Sequence, residues 1–129
     1  MKALTLIQPW ASLVACGAKR IKTRSWQTNY RGMLAIHASK TDKYMQLSAQ
    51  EPFRSALRNE TCPRGCVLAV CELWKVERIT SDNQPEEPER SFGDYTPGRY
   101  AWHLRNVRRF EAPLPAKGKQ GLWEWTQGT

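Results

Sequence analysis

Between Lys19 and Arg31 the chain carries five basic residues (Lys19, Arg20, Lys22, Arg24, Arg31) and no acid. Trp26 and Tyr30 are set among them, and His37 follows closely. Cations interleaved with aromatic rings suit a single-stranded or extruded base. The cations hold phosphate while a ring stacks on the base, a contact worth about 1–3 kcal/mol per base. Trp26 and Tyr30 bracket a polar turn, and His37 is either a donor to such a cleft or a hydrogen-bonded core histidine. A second group with chemical potential is Glu72, inside the apolar run of residues 67–74. A carboxylate there is costly to bury unless it is paired or protonated, and Lys19, Lys22 and Arg24 are the candidate partners. A lysine–glutamate pair across a cleft suits general acid–base work on an amide or a phosphodiester. A structural salt bridge, or a glutamate on a solvated strand face, accounts for the same residues without catalysis.

The charge of the whole chain fits a polyanionic partner. The 129 residues carry a formal charge of +8, and it is segregated. Arg105 to Lys119 holds five basic residues against Glu111 alone, whereas Asp82 to Asp94 holds five acids against Arg90. Segregated basic segments create a field that attracts nucleic acid. The acidic stretch could instead dock a basic protein. Gly118-Lys119-Gln120-Gly121 is glycine-rich and basic but lacks a phosphate-loop pattern, so a turn is expected there.

Cys62 and Cys66 form a C-P-R-G-C motif, half of a zinc site, while Cys16, Cys71, His37 and His103 lack matching spacing. Free thiols, no metal and no cofactor are expected. No Rossmann, HExxH, EF-hand or Ser/His/Asp pattern is present, so redox, metal-dependent and NTP-driven chemistry is not expected. No apolar run approaches the roughly 20 residues that span a bilayer. The opening MKALTLIQPW reads as a first strand rather than a signal peptide, which implies a cytoplasmic protein.

The elements that must position these residues make one domain, 1–129, of about six strands and two helices. KALTLI (2–7) reads as a strand. Pro9 opens a short helix carrying Trp10, Leu13 and Val14, with Gly17 as its terminator. Ile21–Trp26 and MLAIHA are strands. Residues 42–58 have helical spacing, capped at Thr41 or Asp42 and split by Pro52. VLAVCELWKVERI is the longest β-type run. Residues 80–97 form a long loop. A strand follows over 98–104 and continues through 107–110, then an extended connection at Pro113–Pro115, and a last strand over 121–126. Short strands without a βαβ rhythm favour a mainly β, mixed α/β architecture, a small barrel covered by helices.

Several motifs occur in a characteristic order: Gln8-Pro9-Trp10-Ala11, Gly17-Ala18-Lys19, Arg24-Ser25-Trp26, Tyr30-Arg31-Gly32 and Ile36-His37-Ala38-Ser39. Tyr100-Ala101-Trp102, Pro113-Leu114-Pro115, Lys117-Gly118 and Gly121-Leu122-Trp123 complete the set. Together they resemble the ASCH family of the PUA-like superfamily over nearly the whole chain. The resemblance implies a PUA-like barrel whose first helix and neighbouring loops form a cleft. It also implies RNA or a modified nucleoside as partner, bound by a monomer through Trp10, Lys22, Arg24, Ser25, Trp26, Tyr30, Arg31 and His37. Its amidohydrolase branch uses a lysine, a threonine three positions later and a strand glutamate. Lys19 and Glu72 match two of these and are the candidate catalytic residues of a hydrolase or ribonuclease alternative. Lys22 occupies the threonine position, and neighbouring Thr23 would face the other way on a regular strand.

Overall fold

The structure is a computed structural model, described here for residues 1–126. One curled sheet of six strands runs in the order β2-β5-β4-β3-β1-β6. The strands are β1 (Lys2–Leu6), β2 (Ile21–Arg24), β3 (Gly32–Ala38), β4 (Cys66–Arg78), β5 (Tyr100–Pro115) and β6 (Leu122–Glu124). All neighbours are antiparallel except β1 and β3, which pair in parallel. A parallel pair needs a crossover, here supplied by α1 (Trp10–Ala15) together with β2. Register shifts at Ile36/His37 and at three points along β4 bend the sheet into an open barrel, as bulges do.

The helix α1 plugs this barrel, and Ala11 to Ala15 are all buried. Leu4, Leu6, Val14, Leu34, Ile36, Leu73 and Trp102 form the main core around it. Its first turn is satisfied by Gln8 rather than by an N-cap side chain. The Gln8 amide oxygen accepts from Ser12 N at 2.9 Å, and its Nε2 donates to Ser12 Oγ at 2.8 Å and Pro63 O at 2.7 Å. Gly17, at φ +84°, ends the helix in the left-handed conformation expected of a C-terminal glycine. The chain then turns sharply and delivers Lys19 into the interior, with Lys19 N donating to Leu13 O at 3.0 Å.

Two local expectations are corrected. The segment 42–58 does split at Pro52, into a 3-10 turn (Met45–Ala49) and α2 (Phe53–Leu57), but neither Thr41 nor Asp42 caps a helix. Thr41 Oγ1 instead accepts from Lys43 N at 3.3 Å, and Glu51 accepts from Ser55 N at 3.1 Å at the start of α2. The second correction concerns Pro113–Pro115, which are not a connection but the end of the 16-residue strand Tyr100–Pro115, within which 107–110 continues the first part as expected. Asn106, at φ +56°, supplies the interruption. Leu114 and Pro115 pair with Val67 and Cys66. β2 pairs only with residues 100–103, so the far end of β5 is an edge, where proline is tolerated.

The four cysteines are free; Cys66 and Cys71 lie in the main core, and Cys62 packs against the cluster around Leu13, Phe53 and Phe92. Among the described residues, no helix is long and apolar enough to cross a membrane.

Candidate nucleic-acid interface

The sheet ends in two edge strands, β2 and β6, and on the β2 side a seam opens between β2 and the end of β1, where Arg24 reaches Thr5 O. A cleft of about 550 Å³ opens there. One wall is the end of β1 with Trp10. The second is Lys19 with Lys22, Thr23 and Arg24 of β2. The third is the Ser91–Asp94 segment with Arg99. Other clefts of similar volume exist, but this one brings together Lys19, Lys22, Arg24 and Arg99.

Lys19 is 1% exposed and ion-pairs with Glu89 at 3.4 Å, the other carboxylate oxygen accepting from Arg20 N at 2.6 Å. Burial lowers the Lys19 pKa, and the Glu89 carboxylate opposes that shift. Burial also pushes the Lys22 ammonium down, to about 8, with Arg24, Lys19 and Arg99 adding repulsion. Arg24 reaches across the seam, donating from Nη2 to Thr5 O at 3.2 Å, and so ties edge strand β2 to β1. Its Nε is buried with no hydrogen-bond partner among the described residues, and burial together with Arg99 lowers its pKa. Arg99 donates to Asp94 O at 3.1 Å and Thr23 O at 3.4 Å. Trp10 lines the apolar side, edge-on to Tyr44 at 5.4 Å and Phe53 at 6.0 Å.

The cleft thus holds Trp10, Lys19, Lys22 and Arg24 of the residues singled out from the sequence. The others lie elsewhere. Glu72 forms no pair with Lys19. Its carboxylate accepts from Arg105 Nε at 3.0 Å and Asn106 Nδ2 at 3.1 Å, and these bonds, Arg105 foremost, hold it below the usual carboxylate range. It satisfies itself on the neighbouring strand, because Arg105 is its cross-strand partner. Ser25 is exposed beyond the end of β2. Tyr30 folds back over Gly32 to donate to Met33 O at 2.5 Å, and Arg31 ties its own turn through Thr28 O and Tyr30 O.

His37 is 2% exposed and internally bonded. Nε2 stands 2.7 Å from Ala116 O, which can only accept, so the proton is on Nε2. Nδ1 is 3.2 Å from Thr5 Oγ1, which also accepts the Trp123 indole N–H at 3.0 Å. A methyl group on Gly118 would sit 2.6–2.7 Å from this imidazole and from Thr5 Oγ1. Gly118→Ala is therefore expected to destabilise the fold by about 1–3 kcal/mol, as overpacking does. It should also detach the 117–121 loop. Chemical denaturation and the His37 imidazole NMR signals check this.

Two residues of the cleft are not legible in the sequence. Thr23, expected to turn away, lines it with Lys22. Thr23 Oγ1 and Lys19 Nζ both stand close to Gly93, 3.4 and 3.5 Å from where its Cβ would be, and Asp94 N donates to Thr23 Oγ1 at 3.3 Å. Arg99 falls just outside the basic stretches, and the pairing of β5 with β2, which sets Tyr100 opposite Arg24, brings it in. By composition the acidic segment reads as a free loop. It is instead a wall of the site, with a 3-10 turn at Glu89–Phe92 and Phe92 buried against Leu13 and Phe53.

This curled sheet plugged by one short helix is the PUA-like fold. The chain belongs to the ASCH domain family, matching it over residues 4–114. It is similar to Activating signal cointegrator 1 of Mus musculus and of Homo sapiens, 28% identical in each case over 128 residues. The match covers 94% of this chain but only 22% of those proteins. In fold it is similar to the crystal structure of ASCH from Zymomonas mobilis, with TM-score 0.60, 14% identity and coverage of 98% of this chain and 87% of the other. A tyrosine-to-phenylalanine mutant of that protein superposes equally well, with 90% of its chain covered.

Proposed function

We propose that this ASCH domain binds RNA or a nucleotide-like anion in the seam cleft. The observation that carries the reading is the company Lys22 keeps. It is half-buried among Lys19, Arg24 and Arg99, while Glu89 and Asp94 pair with only two of those cations. Like charges gathered in a partly desolvated cleft oppose folding, and an anionic ligand supplies the missing counter-charge. Trp10 offers an apolar wall to a base, and the volume is that of a small-molecule site. The hydrolytic alternative lacks comparable support, because Glu72 is bound to Arg105 outside the cleft and leaves Lys19 without the partner that chemistry needs.

Titration calorimetry with the four 5′-mononucleotides and a random-sequence RNA hexamer tests the reading. Affinity should fall with salt, with a slope of about −0.7 per phosphate contacted. It should also fall as pH rises through about 8, where Lys22 loses its charge. Stability should move the other way. The folded chain releases the Lys22 proton near 8 and the unfolded chain near 10.5, so between them the unfolded state holds more protons and stability rises with pH. Salt-independent binding, or no binding of either probe, would reject the site.

A further inference from the structure

A second cleft of about 610 Å³ continues along the seam, walled by Thr5, Arg24, Trp26, Lys119, Gln120 and Gly121. It shares Thr5 and Arg24 with the Lys19 cleft, so the two clefts meet at these residues. Trp26 stands on one side, 37% exposed. It is held from behind by the buried Trp102, whose ring packs edge-on at 4.7 Å and whose indole N–H donates to Trp26 O at 3.2 Å. The Arg24 guanidinium lies 5.6 Å from the centre of the Trp26 ring. A fixed, exposed indole beside a cation is a stacking platform for a base.

The opposite side is equally prepared. Lys119 is exposed, and its loop is anchored by its own carbonyl to Thr5 Oγ1 at 3.3 Å and by Ala116 O to His37. The fit of Gly118 against His37 leaves that loop little freedom. Little ordering is then left for a ligand to bring about.

The geometry points to a single RNA strand of two or more nucleotides, rather than a free nucleoside, as the ligand of the seam. One nucleotide occupies the Lys19 cleft, its neighbour stacks on Trp26, the linking phosphate meets Arg24, and Lys119 faces the next phosphate. This assignment rests on the anion-binding reading of the Lys19 cleft. A free nucleoside would fill one cleft only, since each alone has the volume of a small-molecule site.

The test compares the affinity of the RNA hexamer with that of the mononucleotides, in the wild type and in the Trp26→Ala and Lys119→Ala variants. In the wild type the hexamer is expected to bind about 10- to 100-fold more tightly, the yield of one further stacked base. That ratio should shrink at least about fivefold in each variant. Lys119 is exposed, so its variant carries the test even where Trp26→Ala fails to fold. A wild-type ratio near one, or a ratio untouched by Lys119→Ala, would overturn the second subsite. Salt-sensitive mononucleotide binding in the same titrations would still uphold the first. Binding of neither probe would overturn both.

Discussion

Replacing Glu89 with alanine is expected to lower the unfolding free energy at pH 7 by about 3 kcal/mol or more, although Glu89 lies in a segment with the composition of a surface loop. The loss comes from Lys19. Its ammonium is 1% exposed, and Glu89 is the carboxylate that pairs with it. Removing the acid leaves a buried cation, which must either stay charged without compensation or give up its proton. Arg20 N also loses its acceptor. The linkage has a definite sign. Without Glu89 the opposing upward influence is gone, so the Lys19 pKa falls further below the unfolded value of 10.5. The unfolded chain then holds more protons over the alkaline range, and the deficit of Glu89→Ala should narrow as pH rises toward 10.5. Pairing it with Lys19→Met should recover most of the stability, because an apolar side chain of similar length removes the buried charge instead of stranding it. Urea titrations of the two single variants and the double variant at pH 7 and at about pH 9.5 give the answer. A Glu89→Ala loss below about 1 kcal/mol would show that the pair does not anchor the acidic segment.

Lys22→Met is expected to move stability and binding in opposite directions. The wild-type ammonium is held down to about 8 by burial and by three neighbouring cations. Methionine keeps the aliphatic stem and removes the repulsion, so the unfolding free energy should rise by about 1 kcal/mol at pH 7. RNA affinity should drop by about 10- to 100-fold, the worth of a hydrogen bond to a charged group. The part of the alkaline rise in stability that Lys22 supplies should vanish with it, leaving the part due to Lys19, whose pKa burial also lowers. A side chain kept only for packing would leave stability and binding both nearly unchanged, since methionine keeps the stem. Calorimetric titration beside a thermal melt separates the two.

The two predictions describe one design. The acidic segment 82–94 neutralises Lys19 and, through Asp94, Arg99, and leaves Lys22 and Arg24 unpaired at the seam. Two acids of this stretch, Glu89 and Asp94, supply counter-charge to Lys19 and Arg99 at either end of the basic strand. Partial compensation lets a buried cation cluster fold and still attract an anion.

Local chemistry determined much of this protein. The alternation in KALTLI, the proline and glycine bounding the first short helix, the proline splitting residues 42–58 and the apolar run of β4 each specify an element through nearest-neighbour physics, and each is present. The ordered motifs were enough to place the chain in its family. Of the basic stretch from Lys19 to Arg24, Lys19, Lys22 and Arg24 line one cleft. Contact partners were decided elsewhere. Glu72 and Lys19 both looked like halves of one pair, and only strand register gave Glu72 to Arg105 and chain return gave Lys19 to Glu89. That second pairing joins residues 70 positions apart in the chain, and no local periodicity carries such information. Thr23 is the finest case. Strand alternation alone turns it away from Lys22, yet both line the cleft, and Asp94 N of the acidic segment donates to Thr23 Oγ1.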